Sequence, residues 1–285
     1  MGKFFYRILS GFFLGLSIVA PGFSGSVVAI IMGVYQDLVR IVSNPFKNFK
    51  ENVIYCLPLA IGAVISAILF VFAFTHLFED YEKATYLLFV GLIAGNIPVI
   101  FREVKKAGFQ TRYLYGGAIA FAAALALGVV AVRFGSPSSA EGVTSNMAIF
   151  AISGFLVGVA AFAPGMSLST IMIIMGVYGQ VLFIAKSILT LNFAYFPQFL
   201  VFGGAAAFAL VLASRGIKAV FDKHPGVAHT AVLGLIAGSL IGIFYQSMQL
   251  PDPNFTWLLG GGMLAAGTFI SILFVILGRT MDKKY

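Results

Sequence analysis

Gly11 to Val39 reads GFFLGLSIVAPGFSGSVVAIIMGVYQDLV, and Gly154 to Leu182 reads GFLVGVAAFAPGMSLSTIMIIMGVYGQVL. The two stretches align at an offset of 143 without a gap, and 14 of the 29 positions are identical. The same offset places Gly91-Leu92-Ile93-Ala94-Gly95 on Gly234-Leu235-Ile236-Ala237-Gly238, and Ile100-Phe101 on Ile243-Phe244. Two separated blocks that share one offset mark a tandem duplication rather than a bias of composition. The expected units are residues 1–142 and 143–285.

Both copies lie in a chain with an unusual composition. Of its 285 residues, 60% are hydrophobic and only 10% charged, and the mean hydropathy is +1.00. A soluble domain has about 25% charged residues, so this chain cannot cover a wetted surface. Its 32 glycines sit inside apolar runs, where small residues let membrane helices approach closely. The single cysteine, Cys56, excludes an intrachain disulfide. Ile18-Val19-Ala20-Pro21 lacks the small-x-small pattern of a cleaved leader, so the first apolar segment is expected to be retained.

Within each unit the apolar runs line up. Residues 4–43 predict a helical hairpin joined at Pro21-Gly22-Phe23-Ser24, followed by spans near 52–77, 84–101 and 113–133. Residues 146–189 predict the second hairpin, joined at Pro164-Gly165-Met166-Ser167, with spans near 195–213, 230–248 and 256–278. Such runs suit a hydrocarbon core about 30 Å thick. If each hairpin returns to the side it left, 15 of the 18 basic residues fall on the face of the N-terminus. Only Lys83, Arg133 and Lys186 fall opposite, beside the acidic Glu79-Asp80-Glu82. Treating each hairpin as one kinked span would move Arg40, Lys47 and Lys50 across and weaken that bias. Both termini are therefore expected in the cytoplasm. An odd number of crossings per unit then forces the units into opposite orientations, the inverted-repeat plan of many secondary transporters. The expected fold class is an all-α polytopic membrane protein with two inverted repeats. Each repeat has a re-entrant hairpin and three transmembrane helices.

Proline and glycine at the joints stop one helix, and Ser24 and Ser167 can cap the next. A helix start at mid-membrane presents unpaired N–H groups and the positive end of the helix dipole, a setting for an anion. Ser26, Ser169 and Thr170 add hydroxyls in the first turn. Pro21, Gly22, Ser24, Gly25, Ser26, Pro164, Gly165, Ser167, Ser169 and Thr170 are thus the candidate binding residues for a phosphate or carboxylate. A bare tight turn is the competing explanation, and it is weaker for two matched copies than for one.

Arg133 and Lys186 are further candidates, as outer charges that could draw in an anionic headgroup. Asn96 is either a helix–helix hydrogen bond or a site residue. Tyr35 and Tyr178 read as interfacial anchors, and His76 as a surface histidine. No metal-ligand cluster, nucleotide-binding glycine loop or mid-membrane carboxylate is evident in the sequence. No cofactor, metal, nucleic acid or catalytic residue is expected, and any coupling ion is left unassigned.

At these two joints, Pro21-Gly22-Phe23-Ser24-Gly25-Ser26 with Gly33-Val34-Tyr35 resembles the PopT family of bacterial polyprenyl-phosphate transporters. Pro164-Gly165-Met166-Ser167-Leu168-Ser169 with Gly176-Val177-Tyr178 is similar to that family's second half. The resemblance covers essentially the whole chain. It implies a bacterial cytoplasmic-membrane protein that returns undecaprenyl phosphate from the outer to the inner leaflet, with lipids as its partners. Many members have Ala-Asp before the Pro-Gly and Gly-Gly-Thr after it; here Ser17-Ile18 and Gly25-Ser26-Val27 stand there. Two alternatives stay open. A membrane lipid-pyrophosphate phosphatase uses Pro-Gly-x-Ser-Arg-Ser, but Gly25 and Leu168 occupy the arginine's place and no Glu-rich partner motif appears. A channel or exporter of a small soluble anion would use the same tips without opening to lipid.

Overall fold

A computed structural model describes residues 2–23, 25–43, 47–108, 110–134, 143–161, 167–250 and 252–282. The described chain is all-helical, with no strand. The first unit contains α1 (Gly2–Val19), α2 (Gly25–Ile31), α3 (Tyr35–Ser43), α4 (Phe49–Asp80), α5 (Glu82–Ala94), α6 (Ile97–Lys106) and α7 (Leu114–Phe134). A single 3-10 turn, Thr111–Tyr113, precedes α7. The second contains α8 (Met147–Ala160), α9 (Leu168–Ile174), α10 (Tyr178–Leu189), α11 (Phe196–Lys223), α12 (Pro225–Gln249) and α13 (Trp257–Asp282). Shifted by 143, α2 coincides with α9, and α5 plus α6 begin and end where α12 does. Six helices among the described residues are long and apolar enough to cross a membrane.

Glycine contacts fix the helix directions. A Cβ at Gly11 would overlap the Leu59 carbonyl, and one at Gly15 would press on the Ala63 backbone. Both numbers rise together, so α1 and α4 run parallel. Gly154 against Phe202 and Gly158 against Ala206 repeat the arrangement for α8 and α11. Helices adjacent in sequence order but parallel in space require the chain to return between them. The α2–α3 and α9–α10 segments make that return, which is the expected hairpin.

The second arm of each hairpin is not the continuous helix the sequence suggested. It breaks at Gly33 and Gly176, whose φ values are +61° and +67°. Val34 N–H bonds to Ala29 O at 2.9 Å and Gly33 N–H to Ile30 O at 2.9 Å. Val177 to Met172 and Gly176 to Ile173 repeat the pattern, again at 2.9 Å. This is the Schellman termination, with buried Val34 and Val177 as its apolar partners. The bend between α9 and α10 is 115°. The first arms also differ. At about 1.5 Å per residue, the 18 residues of α1 span about 27 Å and the 14 of α8 about 21 Å.

The chain reverses after α4, where Phe78 packs on Tyr86 and Phe74 on Phe89. The equivalent corner of unit two pairs Phe221 with His229. The expected span at 84–101 is broken at Gly95-Asn96, because Pro98 supplies no N–H to continue the ladder. Each unit then lends its last helix to the other. Gly91 meets Leu264 and Gly95 meets Thr268, so α13 runs parallel to α5; Gly234 meets Gly117 and Gly238 meets Phe121, so α7 runs parallel to α12. Tyr113, close after α6, touches Gly226 at the start of α12. The α5–α6 pair therefore ends where its counterpart α12 begins. The counterparts point in opposite directions, as inverted repeats require.

Candidate functional site

The two hairpins meet at the end of α1. Pro21 has no N–H to give the helix, so the last carbonyls of α1 lose their donors where the chain turns. Donors come from the second unit. Ser169 Oγ donates to Ile18 O at 3.0 Å and to Val19 O at 2.9 Å, and Tyr178 O–H donates to Val19 O at 2.8 Å. All three join hairpins more than 140 residues apart in sequence, and the two to Val19 O are buried. Tyr178 is accordingly not an interfacial anchor. The Gly176 turn directs it inward, where its ring packs edge-on to Phe89 and tilted against Phe78.

The first tip is seated on the broken helix α5–α6. Gly22 has φ +82°, a left-handed value, and a Cβ there would meet Leu92 O at 2.6 Å. Only glycine suits both restraints. The two N–H groups of Asn96 Nδ2 are shared among Gly22 O, Leu92 O and Ser271 Oγ, the last two each at 2.9 Å. Asn96 thus uses the break in its own helix to brace the tip. Its counterpart Ser239 donates back to Ile236 O at 2.8 Å. Phe23, buried beside the tip, packs edge-on against Phe274 at 4.8 Å.

At the second tip, Ser167 precedes α9 with φ −93° and ψ 134°, the geometry of a cap, yet its hydroxyl makes no cap bond. Ser167 Oγ is buried and has no hydrogen-bond partner among the described residues. Ser66 and Ser153 also have unpaired hydroxyls. They lie mid-helix, where a change of χ1 returns the hydroxyl to a carbonyl one turn back. Ser167 stands before its helix, at the cap position of α9.

Residues 14–252 match the family described as Undecaprenyl phosphate translocase-like. The chain belongs to this family. A relative from Staphylococcus aureus named polyprenyl-phosphate transporter is 26% identical over 271 residues, 93% of this chain and 94% of the relative. A protein of the same name from Vibrio cholerae is 25% identical over 247 residues, 81% of this chain and 75% of that protein. No solved structure matches the chain.

Among the expected site residues of this translocase-like chain, Pro21, Ser169 and Thr170 are buried at the meeting of the hairpins, and Gly22 is half-buried there. Gly25 lies in the first turn of α2, and a Cβ there would stand 3.2 Å from Ser17 Oγ. Ser24, Pro164 and Gly165 lie outside the described residues, as do the side chains of Ser26 and Arg133. Lys186 is away from the tips, its Nζ 2.9 Å from Glu79 Oε1 on α4. That ion pair matches its charge and ties the units together near the end of α4. The expected choice for Asn96, a helix–helix hydrogen bond or a site residue, falls to the hydrogen bond, made to Ser271 of α13; the roles of Tyr178 and Ser271 at the tips are not among the expectations. The only sequence signal for Tyr178 was its repetition with Tyr35, and Tyr35 is exposed.

Proposed function

We propose that this protein carries polyprenyl phosphate across the bacterial cytoplasmic membrane, returning the lipid carrier to the inner leaflet. Its phosphate sits between the two hairpin tips. The observation that carries this reading is Ser167 Oγ, a buried hydroxyl without a partner among the described residues, two residues from the serine that ties the hairpins together. A buried polar group left unpaired calls for a ligand or ordered water.

The division of labour among the tip residues follows from their partners. Ser169 and Tyr178 give their protons to α1 carbonyls, so they position the tips rather than contact phosphate. Ser24, Ser26 and Ser167, with the amides of Gly25 and its neighbours, are the groups assigned to the headgroup. Unaided passage of the charged group through hydrocarbon is costly. Donors from both tips replace part of its hydration, while the tail stays in lipid. The inverted halves rock to expose the tips first outward and then inward. The names of the relatives support a lipid-phosphate cargo, and the missing arginine at Gly25 and Leu168 argues against pyrophosphate cleavage. The chain is read as a carrier with no bond broken, its termini cytoplasmic.

The test uses proteoliposomes holding labelled polyprenyl phosphate in one leaflet. Purified protein should move label between leaflets, a short-chain phosphate should compete poorly, and no inorganic phosphate should appear from the lipid pyrophosphate. Absence of flux, with efficient passage of a soluble anion or release of phosphate, would transfer the protein to one of the alternatives.

A further inference from the structure

We infer that the N-terminal face of the first repeat holds a second anionic site, a pocket for a lipid phosphate headgroup at the membrane surface. The pocket lies where the parallel helices α1 and α4 begin and α3 returns. Its volume is about 470 Å³, and its lining includes Arg7, Arg40, Lys47, Glu51, Asn52 and Tyr55. Three cations thus converge against one lining carboxylate. Their side chains are held differently. The Arg7 guanidinium lies 4.1 Å from the Tyr55 ring centroid, which fixes its plane and leaves its N–H edge for a ligand. Arg40 is partly neutralised by Asp37, 2.9 Å away. Lys47 makes no ion pair among the described residues, while its carbonyl accepts from Asn52 Nδ2 at 2.8 Å.

Two further observations separate this pocket from the general excess of positive charge on one face. First, Phe5, Phe49, Ile54 and Leu57, on the same stretches of α1 and α4, are exposed large apolar side chains. A charged pocket rimmed by lipid-facing hydrocarbon suits a molecule with an anionic head and an apolar tail. Second, the feature is absent from the other repeat. The positions 143 residues on from Arg7, Arg40, Lys47, Glu51, Asn52 and Tyr55 are Phe150, Phe183, Thr190, Ala194, Tyr195 and Gln198. None is charged. The duplication kept the helices and removed or never acquired the charge at the opposite face, so the site serves one leaflet only. In a carrier, it holds a headgroup beside the hairpin on the N-terminal side.

The ligand's identity rests on the lipid-phosphate reading, but the pocket does not depend on the hairpin tips. The shared chemistry is a phosphate group on a lipid, from either polyprenyl phosphate or an ordinary anionic phospholipid. The experiment measures binding of three probes to the full chain in detergent by native mass spectrometry: undecaprenyl phosphate, phosphatidylglycerol and inorganic phosphate. Arg7→Gln plus Lys47→Gln should lower affinity for undecaprenyl phosphate at least about tenfold. Lys47→Arg with Arg7 retained keeps both the charge and the Tyr55 stacking and should leave affinity within about twofold. An equal loss for phosphatidylglycerol identifies a general lipid-phosphate pocket, and no loss identifies one for the monoester; both support the inference. Binding that survives the glutamine pair within twofold, once Ser24→Ala plus Ser167→Ala has removed the tip site, overturns it. So does an equal loss from Arg102→Gln plus Lys105→Gln on the same face, or binding of inorganic phosphate alone. Repeating the measurement in Ser24→Ala plus Ser167→Ala separates the two readings. There, binding at the basic pocket should persist whether or not flux does.

Discussion

Ser169 and Tyr178 show how single side chains join the repeats. Both cap carbonyls that the Pro21 turn leaves exposed, and both are buried. Ser169→Ala or Tyr178→Phe removes one of the donors shared by those carbonyls, at a cost of about 0.5–1.5 kcal/mol each. Each variant should lower the thermal unfolding midpoint in detergent. Tyr178→Phe retains the ring packing on Phe78 and Phe89 and so isolates the hydroxyl. Gly22→Ala should be more damaging, since it adds left-handed strain to a clash with Leu92 O; the same unfolding assay would detect it. The sequence identified the serines because a hydroxyl after Pro-Gly has a local reason to be there. It could not identify their partners. Ser169 bonds across 151 and 150 residues, and Asn96 reaches Gly22 across 74. Only the fold brings such groups together.

At the scale of helices, close approach is set by particular glycines rather than by glycine content. A Cβ at Gly62 would overlap the Ile8 carbonyl and touch the Phe12 amide, whereas Gly261 in α13 has nothing within 4 Å. Gly62→Ala must push α1 and α4 apart, costing about 1–3 kcal/mol by overpacking. Gly261→Ala gains about 0.5–1 kcal/mol of helix preference. Opposite shifts of the unfolding midpoint in these two variants would confirm the difference, and equal shifts would deny it. The long helices could be read from their apolar runs to within several residues at most ends. The breaks could not. Gly33, Gly176 and the Gly95-Asn96 step lie inside apolar sequence, and their effect depends on Schellman bonds and on a tip waiting to be braced. A hydropathy run registers the length of a segment but not the bend within it.

For the molecule as a whole, duplication gives the plan, and departures from it give the direction. The repeats share helix boundaries and exchange their last helices, α13 onto α5 and α7 onto α12. This interlock makes each half's surface part of the other, so the tips cannot be separated without moving both units. Charge distribution breaks the symmetry. Lys47 belongs to the N-terminal face; Lys83, placed by its Asp252 contact at 3.2 Å between units, belongs to the other. In a Cys56→Ser background, single cysteines at these two positions should react with a membrane-impermeant reagent from opposite sides of oriented vesicles. Labelling from the same side would undo the inverted arrangement.

The central claim is that one phosphate is held jointly by the two tips. Its most direct test is the flux of labelled polyprenyl phosphate in proteoliposomes, comparing the natural chain with Ser24→Ala plus Ser167→Ala at equal folded protein. The account predicts a loss of at least about tenfold, equivalent to about 1.4 kcal/mol of barrier. Flux unchanged in the doubly substituted protein would contradict it and remove the tips from the transport path.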